Sequence, residues 1–74
     1  MEKEEFEQQL GECPLLVRMK DGREYFVEKP EFVIVGDYAA GILFRNQEGK
    51  LVNAVASLIS ISTVLTNVSL NGSA

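Results

Sequence analysis

The chain has 74 residues, one cysteine and no histidine, which bounds it to one small domain and excludes a disulfide framework, a His-bearing metal site and His-assisted nucleophilic catalysis. Its net charge of −4 resides in residues 1–12, where Glu2, Glu4, Glu5, Glu7 and Glu12 face a single base, Lys3; the remainder is neutral. A strong polyanion-binding stripe is therefore not expected, and the acidic start suits the positive end of a helix dipole.

Residues 3–11 predict a short helix, with Phe6, Leu10 and Cys13 at i, i+4 and i+7 as a narrow apolar stripe. Gly11 suits its stop and Pro14 prevents continuation. Leu15 to Lys20 follows as a strand in which Leu15, Val17 and Met19 alternate with Arg18 and Lys20. Asp21-Gly22 signals a type I′ hairpin turn, in which both central residues need positive φ. The return strand is Arg23 to Glu28, with Tyr25 and Val27 on one face and Phe26 as a surface or interface aromatic.

Pro30 cannot donate to a ladder, so Lys29–Phe32 reads as a bend or one turn of 3₁₀ helix, after which Phe32–Val35 resumes as strand. Gly36-Asp37 marks a turn, Ala40–Arg45 a strand, and Asn46–Gly49 the turn into Lys50–Ala54. Val55-Ala56-Ser57 is a short connector before the final strand, Leu58–Leu65, in which Ile59, Ile61 and Leu65 face one way and Ser60 and Ser62 the other. Residues 67–74 read as a flexible tail.

The expected architecture is mainly β, a single domain over 1–74. A short helix (about 3–11) precedes a five-stranded, strongly bent small barrel (about 15–65) whose second strand is interrupted at Pro30. No charged residue follows Lys50. A strand without Lys, Glu or Pro recruits other chains if its edge is open, so the last strand should be paired on both sides, by barrel closure or by a neighbouring subunit. A chain this small buries only about 60% of its unfolded surface, and with neither disulfide nor metal to staple it, self-association is the ordinary support.

Several features resemble the Sm-like fold of Sm proteins and bacterial Hfq: the order of elements, Leu16-Val17-Arg18-Met19-Lys20-Asp21-Gly22, Ile42-Leu43-Phe44-Arg45-Asn46, and above all Ile61-Ser62-Thr63-Val64. The chain is also similar to short uncharacterised bacterial proteins with Asp-Gly-Arg followed by Pro-Glu-Phe, here Asp21-Gly22-Arg23 and Pro30-Glu31-Phe32. The Sm-like resemblance implies an SH3-like barrel and a homo-oligomeric ring, made by pairing the fourth strand of one subunit with the fifth of the next. The expected interface residues are then Leu51, Val52, Leu58, Ile59, Ile61, Thr63 and Leu65. It also implies an alternative function, single-stranded RNA binding, for which Tyr38, Arg18, Lys20 and Arg23 are the candidates. Val55, Ala56 and Ser57 occupy the turn where the family carries a base, so the basic part of that site is missing.

The remaining motifs point to ordinary surface and core. Cys13 at a helix-to-strand junction reads as a small buried thiol rather than a nucleophile. The acidic pairs Glu28/Glu31 and Glu24/Asp37 read as solvated surface, and the bases as their partners. The expectation is thus a non-enzymatic protein that takes no cofactor or metal and acts through protein contacts, first with its own copies. The Met-Glu-Lys-Glu-Glu opening lacks the basic and apolar regions of a signal peptide. Asn53, Ser57, Ser60, Ser62 and Thr63 interrupt the C-terminal third too often for a membrane span, so a cytoplasmic location is expected.

Overall fold

The computed structural model describes residues 1–68; the sequence-predicted tail lies outside the described residues from 69 onward. Helix α1 spans Lys3–Gln9 and tightens into a 3₁₀ turn at Leu10–Glu12. Glu5 sits in its first turn and its carboxylate accepts the Glu2 N–H at 3.4 Å, a favourable placement for an acid near the unpaired N–H groups of a helix start. Phe6 is fully buried and Leu10 nearly so, while Cys13 is half-buried, as the i, i+4, i+7 stripe requires.

Six strands follow: β1 (Leu15–Met19), β2 (Glu24–Val27), β3 (Val33–Val35), β4 (Ala39–Arg45), β5 (Leu51–Ser57) and β6 (Ile61–Thr66). They form two antiparallel three-stranded sheets, ordered β2-β1-β6 and β3-β4-β5. This corrects the expected five-stranded closed barrel. The break at Pro30 is complete: Pro30–Phe32 forms a 3₁₀ turn, with the Phe32 N–H donating to the Lys29 carbonyl at 3.1 Å. Proline supplies no ladder donor, so β2 stays with β1 while β3 pairs with β4, and the strand read as one bent element becomes two in different sheets.

The two hairpin turns share one construction. Met19 N–H donates to the Arg23 carbonyl at 2.8 Å and Gly22 N–H to the Met19 carbonyl at 3.0 Å; Asn46 N–H donates to Lys50 and Gly49 N–H to Asn46, both at 2.9 Å. Each is a three-residue loop with its glycine at positive φ, 95° at Gly22 and 80° at Gly49. The type I′ expectation at Asp21-Gly22 is corrected accordingly. Asp21 keeps a negative φ because the loop is one residue longer, a turn ending in a left-handed glycine.

The C-terminal third also differs from its sequence reading. The connector is Leu58–Ser60, a 3₁₀ turn, and Val55–Ser57 belongs to β5. In β6 the pairing with β1 shifts between Arg18 and Met19, so that Thr63 faces Arg18 while Ile61 faces Met19 and Ser62 is the extra residue. A bulge of this kind reverses the alternation. Ile61 therefore enters the core and Leu65, expected on the same face, stands on the outer one.

The core is one cluster in which inward residues of both sheets, including Val17, Val27, Ile42 and Ala56, and Leu58 of the 3₁₀ connector meet Phe6 and Leu10 of the helical segment. Tyr25 of β2 and Phe44 of β4 pack ring to ring at 4.9 Å, a tilted arrangement that joins the sheets. The Met1 amine donates to the Leu58 carbonyl at 3.0 Å and Lys3 meets Asp37 at 3.5 Å, which ties the start of α1 to the turns of the second sheet. At the other end Asn67 and Val68 donate backbone N–H groups to Glu12 and Pro14, both at 3.0 Å, so the first residues assigned to a flexible tail are held. No helix among the described residues is long and apolar enough to cross a membrane.

Candidate functional site

Two surfaces stand out, and both involve β5. The first is a pair of sheet edges. Strand β5 bounds one sheet on the side away from β3, and β6 bounds the other on the side away from β2; among the described residues neither has a strand partner on its outer side. No charged side chain occurs from Leu51 through Thr66, so neither edge carries the lysine or proline that normally blunts one.

The expected interface residues divide between this surface and the core. Leu51 and Leu65 are exposed and Val52 and Thr63 half-buried, all on the two edge strands. Ile59, on the connecting 3₁₀ turn, is 72% exposed. Leu58 and Ile61 are buried in the core and present no side chain to a neighbour.

The candidates for RNA contact gather near one end of the molecule. The Leu58–Ser60 turn is hydrogen-bonded on both sides: Leu58 N–H donates to the Tyr38 carbonyl and Lys20 N–H to the Ser60 carbonyl, each at 2.8 Å. Tyr38 is 84% exposed and Lys20 is also exposed, so a free aromatic ring and a base flank Ile59. The other two bases are occupied. Arg18 Nε lies 2.8 Å from Glu24 Oε2 and Arg23 Nε 2.8 Å from Asp21 Oδ2. The Arg23 backbone N–H, which donates to Asp21 Oδ1 at 3.1 Å, and then its guanidinium hold the Asp21 carboxyl below its ordinary pKa. Stability from that turn is present above the ordinary carboxylate range and is lost as pH falls through the lowered value.

The second surface was not singled out by sequence reasoning. Across the outer face of the β3-β4-β5 sheet, Ile34 lies opposite Gly41 and Gly41 opposite Val55, while Leu43 lies opposite Asn53. Ile34 and Val55 are 79% and 74% exposed. Between them Gly41 leaves a notch, the floor of a groove of about 410 Å³ that Phe32, Leu43 and Asn53 also line. The signal was the run Ala39-Ala40-Gly41-Ile42-Leu43-Phe44, which does not alternate: an antiparallel strand with one wet face should.

Little else offers chemistry. Burial, and then the nearby Glu31 carboxylate, push the Cys13 thiol above its ordinary pKa, which keeps it protonated and poorly nucleophilic. Among the described residues no group of three His, Cys, Asp or Glu side chains is placed to hold a metal ion. No protein-family model matches the chain, and no curated protein or solved structure proved similar to it.

Proposed function

We propose that this protein is a non-enzymatic self-assembling module that acts through protein contacts, the β5 edge of one copy pairing with the β6 edge of the next. The observation that supports it is that one continuous uncharged stretch, from Leu51 through Thr66, forms an open edge strand of each sheet, β5 and β6. Each edge presents unpaired N–H and C=O groups that another strand would satisfy. The contact is heterologous, β5 against β6, so repetition closes a ring if the rotation between copies permits. The Sm-like resemblance of Ile61-Ser62-Thr63-Val64 implies the same pairing and does not need a closed barrel within one copy. A cytoplasmic setting belongs to this reading, since one half-buried thiol suits a reducing compartment.

Light scattering behind size exclusion tests it. The expected mass is a multiple of the 8.2 kDa chain, and Leu65→Lys, a charge on the edge strand at an exposed position, should lower it. A monomer at micromolar concentration overturns the reading.

A second reading, single-stranded RNA binding, has one supporting feature: Tyr38 and Lys20 exposed on either side of the Leu58–Ser60 turn. Because Arg18 and Arg23 already face carboxylates, this surface offers little net positive charge. The RNA reading requires binding that weakens steeply with salt. Absence of binding to a single-stranded oligoribonucleotide at low salt removes it.

A further inference from the structure

The outer face of the β3-β4-β5 sheet has the composition of a covered surface. Seven large apolar side chains are exposed among the described residues. Ile34, Leu43, Leu51 and Val55 stand on this face, and Tyr38 and Ile59 lie at its end, by the β3–β4 turn and the Leu58–Ser60 turn; only Leu65 is elsewhere. The outer face of the other sheet is mixed: Leu16 lies between Phe26 and Leu65, while in the next row Glu24 lies opposite Arg18. Isolated exposed apolar residues need no explanation, but a contiguous patch on so small a domain does.

We propose that a second copy of this chain covers the face, sheet on sheet about a two-fold axis between β4 and β5, so that Val55 of each copy sits over the Gly41 notch of the other. Two observations favour a copy of the chain over another occupant. The first is charge. In a two-fold contact both copies present the same patch, so a charge on it is brought close to the same charge of the other copy. The central rows, Ile34–Gly41–Val55, Leu43–Asn53 and Ala39–Ser57, contain none. The Arg45–Leu51 row at the far end of β4 and β5 carries the one charge of the ladder, and Arg45 already meets Glu28 at 3.5 Å and the Gly49 carbonyl at 3.0 Å. Glu31 lies beside the groove, and Asp37, next to Tyr38, meets Lys3 at 3.5 Å. The second is relief. A Cβ at Gly41 would meet only Asn53 Oδ1, at 3.9 Å, so glycine is not required there by crowding within the chain. The notch is open to a side chain from outside, and Val55, one strand away on the same face, is a projection of suitable size.

The size of the face sets the strength. Three strands at ordinary spacings cover roughly 300 Å², less than the ~800 Å² that each partner contributes to a standard stable interface. The contact is therefore weak in isolation and emerges with concentration. It does not depend on edge pairing, because Ile34 and Gly41 lie away from the open edges of β5 and β6.

Sedimentation equilibrium from micromolar to millimolar protein tests this in a Leu65→Lys background, where edge pairing is blocked whether or not it occurs in the wild type. The mass should rise toward twofold. Adding Gly41→Val fills the notch while supplying a better strand residue, so the thermal midpoint should hold or rise while the doubling disappears. Ile34→Lys, at an exposed position, should abolish the doubling by placing charge on the face. A mass that stays flat to millimolar concentration, or a doubling that survives both substitutions, overturns the proposal. If Leu65→Lys fails to fold, wild type against Gly41→Val gives the same comparison as a halving of mass at high concentration. Failure of the edge reading would appear separately, as a Leu65→Lys protein with the wild-type mass at micromolar concentration.

Discussion

At the scale of single residues, chemistry follows from surroundings rather than from residue type. Cys13 is the only thiol, and its position between α1 and β1 half-buries it beside Glu31. Loss of solvation and then the neighbouring carboxylate both disfavour the thiolate, so its folded pKa is raised. Thiolate is the alkylating species; its fraction at pH 8 is therefore lower in the folded chain than in the unfolded one. Iodoacetamide should modify folded Cys13 several-fold more slowly than the denatured protein, with the difference shrinking as pH rises through the folded value. Equal rates at pH 8 would mean that the thiol is neither shielded nor held protonated. The same dependence on surroundings separates two glycines that look alike in sequence. Gly41 has a tolerant backbone and an open notch, whereas Gly49 holds φ at 80°, a region that L side chains adopt at a cost. Gly49→Ala should destabilise the fold by about 1–2 kcal/mol, read as a lower denaturation midpoint, the opposite sign from Gly41→Val.

At the scale of elements, much was legible because local rules and tertiary packing agreed. The Phe6–Leu10–Cys13 spacing located the helix, Pro30 the break, and the Gly22 and Gly49 turns both hairpins. What the sequence did not reveal was set by pairing at a distance. Whether the segments flanking Pro30 share a sheet is decided by β1 and β4, which claim one each, and no local pattern encodes that choice. The Ser62 bulge is likewise a property of the ladder with β1. Alternation read along β6 alone puts Ile61 and Leu65 on one face, but one extra residue moves Leu65 to the outside, beside Leu16. The candidate site was half visible for the same reason. The missing charges of the last third drew attention to β5 and β6. The Ile34–Gly41–Val55 row became visible only once three separate strands were set in register.

At the scale of the whole molecule, the balance of core and surface links stability to assembly. Helix α1 has seven residues, too short to persist alone, and Phe6 is its fully buried anchor in the core. Phe6→Ala should cost about 3–5 kcal/mol through lost burial and the cavity left behind. That is much of the ~5–15 kcal/mol available to a typical domain, and a chain this small stands near the lower end. The thermal midpoint should accordingly fall by roughly 12–40 °C. Copies that bind the folded chain and not the unfolded one add stability by mass action, so the loss should be partly recovered as protein concentration is raised. Circular dichroism melts of Phe6→Ala at two concentrations a hundredfold apart read both effects. A midpoint close to wild type would show that α1 is dispensable to the core. A large fall that is independent of concentration would show that the open edges and the apolar face contribute nothing to stability through self-association, and both assembly proposals would lose their thermodynamic basis. A fall that recovers with concentration would connect the thin core, the uncharged edges and the covered face as parts of one solution, in which a chain too small to be secure alone gains stability from its copies.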